Sequence, residues 1–301
     1  MQIAAGQYTG NGVDDRSITG VGFQPDLVII KREDAEANLS GVVWRSSAMV
    51  GDLSMSWVFS GIADLVQTLE ADGFQIGTNN QVNASTKVYN WIAFKDNGAG
   101  DFKVGTYTGN GVDDRSITGV GFQPEMVWVG SAGAQTVFRH GSDAGDTSHY
   151  ARSLNPDAAD LIQAFQADGF QVGTLSNVND NLAVYYYVAM KASAGVFQQG
   201  TYTGNGADNR SITGVGFEPV LVFVKNDTTA RDSLLVLANT TVGETHYFDA
   251  TADSTDRIQA LEADGFQIGT NAEVNTDTET YLWMAWNTAI GSAFRPHLMQ
   301  Y

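Results

Sequence analysis

The sequence predicts an all-β protein of three tandem, homologous antiparallel β-sandwich modules, jelly-roll or concanavalin-like in type and arranged with pseudo-threefold symmetry. Three observations carry this expectation. First, GQYTGNGVDDRSITGVGFQPDLV at residues 6–28 returns as GTYTGNGVDDRSITGVGFQPEMV at 105–127 and as GTYTGNGADNRSITGVGFEPVLV at 200–222, so one unit is written three times. Second, each copy strings together short runs of β-branched and aromatic residues between Gly, Asn and Asp turns, the pattern of a sandwich with seven or eight strands. Third, the links from Phe94 to Tyr107 and from Met190 to Tyr202 are about a dozen residues long, too short for the modules to separate widely. The boundaries fall at 1–99, 100–195 and 196–290, and a C-terminal extension covers 291–301.

Each module opens with a strand that ends in Tyr-Thr-Gly-Asn-Gly, at 8–12, 107–111 and 202–206. Asn-Gly accepts positive φ and so marks a turn. Arg-Ser-Ile-Thr-Gly, from Arg16, is a short second strand, and Pro25, Pro124 and Pro219 set the entry to a third. In that third strand Val28 and Ile30 face one way and Leu27 and Ile29 the other. The corresponding sets are Val127/Val129 against Met126/Trp128, and Val222/Val224 against Leu221/Phe223. One face is small and β-branched, the other large and variable, and both are apolar, so the strand is covered on both sides. The variable faces are expected to bury module against module in a compact body, in preference to a linear string.

The middle of each copy diverges. It holds Trp44 and Trp57 in the first, His149-Tyr150 in the second and His246-Tyr247 in the third. Divergence inside a fixed frame marks loops, and loops on a rigid scaffold carry binding. The frame resumes at Asp-Gly-Phe-Gln-Ile/Val-Gly, at 72–77, 168–173 and 264–269. Apolar residues just before it, at 65–71, recur by threes, which leaves a helical turn and a hairpin arm both open. A polar turn with Asn83, Asn179 and Asn275 at matching positions precedes closing strands such as Tyr-Asn-Trp-Ile-Ala-Phe at 89–94. These are apolar on both faces and therefore central.

Composition limits the chemistry. A net charge of −18 over 301 residues repels phosphate backbones, so nucleic acid is not an expected partner. There is no Cys, which removes disulfides and thiolate metal sites. No run approaches the length of a membrane-spanning helix, and the first residues, MQIAAGQYTG, show no secretory pattern. Gly-Asn-Gly-Val-Asp-Asp-Arg gathers oxygens but lacks the Glu that closes an EF-hand. It also lacks the spacing and Lys of a phosphate loop. Asp15 and Arg16 are expected to hold the turn, and neither a metal nor a cofactor is expected. Of the histidines His140, His149, His246 and His297, only His149 and His246 share a place, and the first module has no His there. No Glu is common to all three copies at Glu70, Gln166 and Glu262, and no catalytic triad is marked, so no catalytic residue is assigned. The candidate ligand-binding residues are Trp44, Trp57, His149, Tyr150, His246 and Tyr247; the rings of Trp44, Trp57, Tyr150 and Tyr247 would stack on sugars if they stand exposed on loops, and the alternative places them in the core or between modules.

The frame GTYTGNG…RSITGVGFQPDLV…LEADGFQIGTNNQVNAS…YNWIAF covers nearly the whole chain and resembles a module of tailed-phage virion proteins. The resemblance implies a lectin-type β-sandwich with a structural or adhesive role on the particle, and it brings no catalytic residues with it. No coiled-coil attachment segment precedes the first module, which favours a decoration or cement protein, or a compact tail-tip piece, over a long fibre. The expectation is therefore a non-enzymatic virion protein, assembled in the host cytoplasm, with capsid or tail proteins as partners. The segment at 292–301 would serve as its attachment strap. Two alternatives stay open: a carbohydrate-binding adhesin that takes a host surface glycan, and a self-assembling extracellular surface-layer or filament subunit; outside a virion, the expected location is extracellular.

Overall fold

The structure, a computed structural model, describes residues 1–34, 41–57, 61–151, 157–249 and 251–288. The strap expected at 292–301, and with it His297, lies outside the described residues. In module 1 the strands are β1 (Gln2–Thr9), β2 (Arg16–Thr19), β3 (Leu27–Arg32), β4 (Val43–Ser46), β5 (Met55–Ser56), β6 (Val66–Glu70), β7 (Gly73–Ile76) and β8 (Val88–Lys95). They form a five-stranded sheet in the order β1-β8-β3-β4-β5 and a three-stranded sheet in the order β2-β7-β6. Every pairing is antiparallel. Modules 2 and 3 repeat both sheets strand for strand. The expected sandwich and the central place of the closing strand β8 are thus observed.

The inner faces of the two sheets meet in a core private to each module. In module 1 it holds Tyr8, Ile18, Val28, Ile30, Val43, Phe74, Ile76, Val82 and Tyr89. The segment before the Asp-Gly-Phe landmark is the hairpin arm β6, not a helical turn. Its apolar spacing of three comes from a bulge between Val66 and Thr68, which shifts the side-chain alternation by one. At the hairpin tip Gly73 has a φ of 153°, and a Cβ there would stand 1.9 Å from Ile18 O, so only glycine fits.

The polar turn before β8 is a single helical turn, α1 (Asn80–Asn83), with Asn79 as its N-cap. Its last residue pins the frame. Asn83 is fully buried; its Oδ1 accepts from Asn11 N–H at 2.9 Å, and its Nδ2 donates to Val13 O at 2.7 Å and Gly77 O at 2.8 Å. Asn179 and Asn275 make the same bonds in their modules. Asp72 ties the second turn by accepting from Gly20 N–H at 3.2 Å and Gly22 N–H at 2.6 Å.

The outer faces of the three five-stranded sheets turn toward one another and fill a fourth core. On β3 and its counterparts this face carries Leu27 and Ile29, Met126 and Trp128, and Leu221 and Phe223. Directly opposite the second of each pair stand Trp44, Phe138 and Leu235. Trp57 packs on Trp128 at 5.1 Å between ring centroids, on Phe223 at 6.3 Å and on Phe248 at 4.8 Å, so one indole touches both other modules. The large, variable faces bury module against module as expected. They vary because a single central space is filled from three sides by side chains of unequal size.

Candidate functional site

The residues expected to bind a ligand from exposed loops do not stand there. Trp44, His149 and His246 are 0% exposed, and Trp57 and Tyr247 are 3% exposed. Only Tyr150 is half-buried; its hydroxyl donates to Asn177 Oδ1 at 3.4 Å. Trp44, Trp57 and Tyr247 take the alternative, a place in the core or between modules, and the two histidines are buried with them; the reason is positional. The divergent middle segments supply β4 and β5 and their counterparts, which form the edges of the five-stranded sheets and face the neighbouring module. Backbone bonds close these seams directly. Val42 N–H donates to Phe248 O at 3.0 Å, and Ser233 N–H donates to Ala151 O at 2.9 Å.

Two seams carry a buried histidine, each held by carboxylates from both sides. At the seam of modules 2 and 3, His149 Nε2 lies 2.9 Å from Asp143 Oδ1 and 3.9 Å from Asp227 Oδ1, and Nδ1 lies 2.9 Å from Asp157 Oδ1. Asp227 and its neighbour Lys225 come from module 3. Burial disfavours a charge on the imidazole, but the adjacent carboxylates of Asp143 and Asp157 outweigh it and raise its pKa to about 9. Burial also raises the Asp227 pKa; its proximity to His149 acts the other way, while Asp143 and Asp157 add to the rise.

The seam of modules 3 and 1 repeats the plan with different residues. His246 Nδ1 lies 3.0 Å from Asp253 Oδ2; its Nε2 lies 3.1 Å from Thr240 Oγ1 and 3.6 Å from Glu33 Oε2. Glu33 and Lys31 come from module 1. Lys31 is buried, its Nζ donates to Asp249 O at 3.1 Å, and desolvation lowers its pKa to about 8. Thr241 donates to Glu33 Oε1 through N–H at 2.6 Å and Oγ1 at 2.8 Å.

The seam of modules 1 and 2 has no histidine. Met55 occupies the place of His149 and His246, opposite Trp44 in register. On the facing side Gly130 and Ala132 stand where Lys31 and Glu33, or Lys225 and Asp227, stand at the other seams. Here Gly61 N–H donates to Ala132 O at 3.1 Å, and Trp44 Nε1 donates to Thr136 Oγ1 at 3.2 Å. The swap is coordinated: where the histidine becomes Met, the facing Lys and acid become Gly and Ala. The two histidines stand out in the sequence, but their acids do not. That coordinated change between copies was the signal that could have found them.

The Asp-rich turn is held by the protein's own bonds. Asp15, Asp114 and Asn209 have φ of 55°, 57° and 52°, a left-handed conformation that Asp and Asn tolerate. Asp14 Oδ1 accepts from Asp15 N–H at 2.9 Å and from Gln67 Nε2 at 3.0 Å. Arg16 donates to Thr9 O at 2.6 Å. Among the described residues the one group whose ligand atoms converge as a metal site would is Asp143, His149 and Asp227.

Fold and seams together define a single-chain pseudotrimer of β-sandwiches. The chain belongs to the family described as a domain of unknown function (DUF7483), which it matches three times, over residues 3–104, 99–196 and 192–294. No curated protein matches the sequence.

Proposed function

We propose that the protein is a non-enzymatic structural protein of a tailed-phage virion, a surface decoration or cement protein or a compact tail-tip piece. The observation that carries this reading is the shared central core. Three sandwiches are fused around one apolar axis, so a single chain offers the outline of a trimer and suits a threefold or quasi-threefold position on a particle. The frame resemblance to virion modules supports the same reading. The burial of Trp44, Trp57, His149, His246 and Tyr247 counts against a sugar platform built on them. The net charge of −18 supports partners other than nucleic acid. No helix among the described residues is long and apolar enough to cross a membrane. On this reading the partners are capsid or tail proteins, and the protein resides in the virion after assembly in the host cytoplasm. Quantitative mass spectrometry of purified particles tests it. The chain should be present at a fixed copy number relative to the major capsid protein, and its absence from particles would overturn the reading.

A further inference from the structure

We propose that Asp143, His149 and Asp227 form a binding site for a first-row divalent cation, Zn²⁺ being the fitting probe, which clamps module 2 to module 3. Each of the three offers one donor atom within 4.8 Å of the other two, and His149 Nε2 faces Asp143 Oδ1 and Asp227 Oδ1. A tetrahedral ion with ligands at about 2.0–2.2 Å needs donors about 3.4 Å apart. The observed separations of 2.9 Å and 3.9 Å from Nε2 bracket that value. One imidazole with carboxylates is a donor set for Zn²⁺ or a neighbouring first-row ion.

Three further observations point the same way. Asp157 Oδ1 lies 2.9 Å from His149 Nδ1, an ion-pair contact that places a further carboxylate on the other nitrogen of the ring. Asp143 Oδ2 accepts from His140 N–H at 2.7 Å, which fixes the carboxylate with Oδ1 toward the site. The Asp227 side chain is 35% exposed, leaving a solvent side for entry and for a water ligand. On entry the ion replaces the proton between His149 Nε2 and Asp143 Oδ1, which leaves to solvent.

The seam of modules 3 and 1 is an internal control. There Thr240 stands in place of Asp143 and likewise accepts a backbone N–H, from Leu237 at 3.2 Å. One fewer carboxylate faces His246, so this sister cluster is not expected to hold the ion.

The test is zinc content and thermal unfolding of the full chain, stripped by chelator and dialysed against Zn²⁺. One Zn²⁺ per chain and a raised Tm are expected. Asp143→Thr, which keeps the backbone cap as Thr240 does, and Asp227→Asn, at a partly exposed position, should each weaken zinc binding by about tenfold or more. Asp253→Asn, in the sister cluster, should leave the stoichiometry at one. No bound zinc in the unmodified chain, or undiminished zinc in Asp227→Asn, would overturn the proposal.

Discussion

Gly130 of module 2 lies under the indole of Trp44 of module 1: a Cβ on Gly130 would stand 2.8 Å from Trp44 Cζ2 and 2.9 Å from Thr136 Oγ1. The glycine is therefore part of the seam, cut to admit the ring from the next module. Gly130→Val should destabilise the protein by about 1–3 kcal/mol, the usual cost of overpacking. Urea denaturation measures this, and Trp44→Leu added to Gly130→Val should cost less than the sum of the two separate losses.

The histidine seams should tolerate loss of one partner poorly and loss of the set better. His246→Met leaves Asp253 and Glu33 facing a buried, uncharged side chain, at a cost of about 3 kcal/mol. Adding Lys31→Gly, Glu33→Ala and Asp253→Ala, which moves the seam toward its Met55, Gly130 and Ala132 counterpart, should recover part of that loss. Equal or greater loss in the quadruple variant, again read by urea denaturation, would contradict the exchange of the charged set as a unit.

The same seam fixes the direction of a pH response. Burial acts against the charge on His246, but the facing carboxylates of Asp253 and Glu33 outweigh it and raise its pKa, with Lys31 opposing. A raised histidine contributes in full below its ordinary pKa of about 6.5 and loses that contribution as pH rises through the folded value. For Glu33 burial works against the charge, yet the facing His246 and the bonds from Thr241 hold the pKa down at about 2. Its contribution is present above the ordinary glutamate range of about 4.3 and is lost as pH falls toward 2. The seam should be firmest between those limits. In denaturation midpoints against pH, His246→Met should flatten the alkaline limb relative to the unmodified protein. An unchanged alkaline limb would count against the pairing.

Asn83 should be a stability residue in spite of its place in a polar turn. Asn83→Ala leaves Asn11 N–H, Val13 O and Gly77 O without their buried partner, which costs at least about 2 kcal/mol. Asn83→Asp keeps the acceptor and loses the donor, so it should fall on the unstable side as well. Thermal unfolding of the two variants reads both effects.

Much of the fold was legible because the frame is written three times. The alternation of Val28 and Ile30 against Leu27 and Ile29 shows a strand covered on both sides, and comparison with Trp128 and Phe223 shows which side meets the other modules. The hairpin arm β6 was ambiguous for a local reason: its bulge between Val66 and Thr68 breaks the period of two. The seam clusters were less legible because their members lie far apart in sequence. His149 and Asp227 are brought together only when the three sandwiches close, and no spacing rule within one module encodes that. Trp44 and Trp57 look the same in sequence whether a ring faces solvent or a neighbouring module. The difference between those states is made by Gly130, Phe223 and Phe248, which lie in other copies.

The proposed role makes this single-chain pseudotrimer a component of a phage particle. The most direct measurement is a near-atomic density map of the particle produced by the source of this sequence. The account predicts one chain at each occupied position, with its three sandwiches set around a local axis and the Trp57 indole resolved between modules. A map whose surface and tail density is fully explained by other chains, with no place for this one, would contradict it.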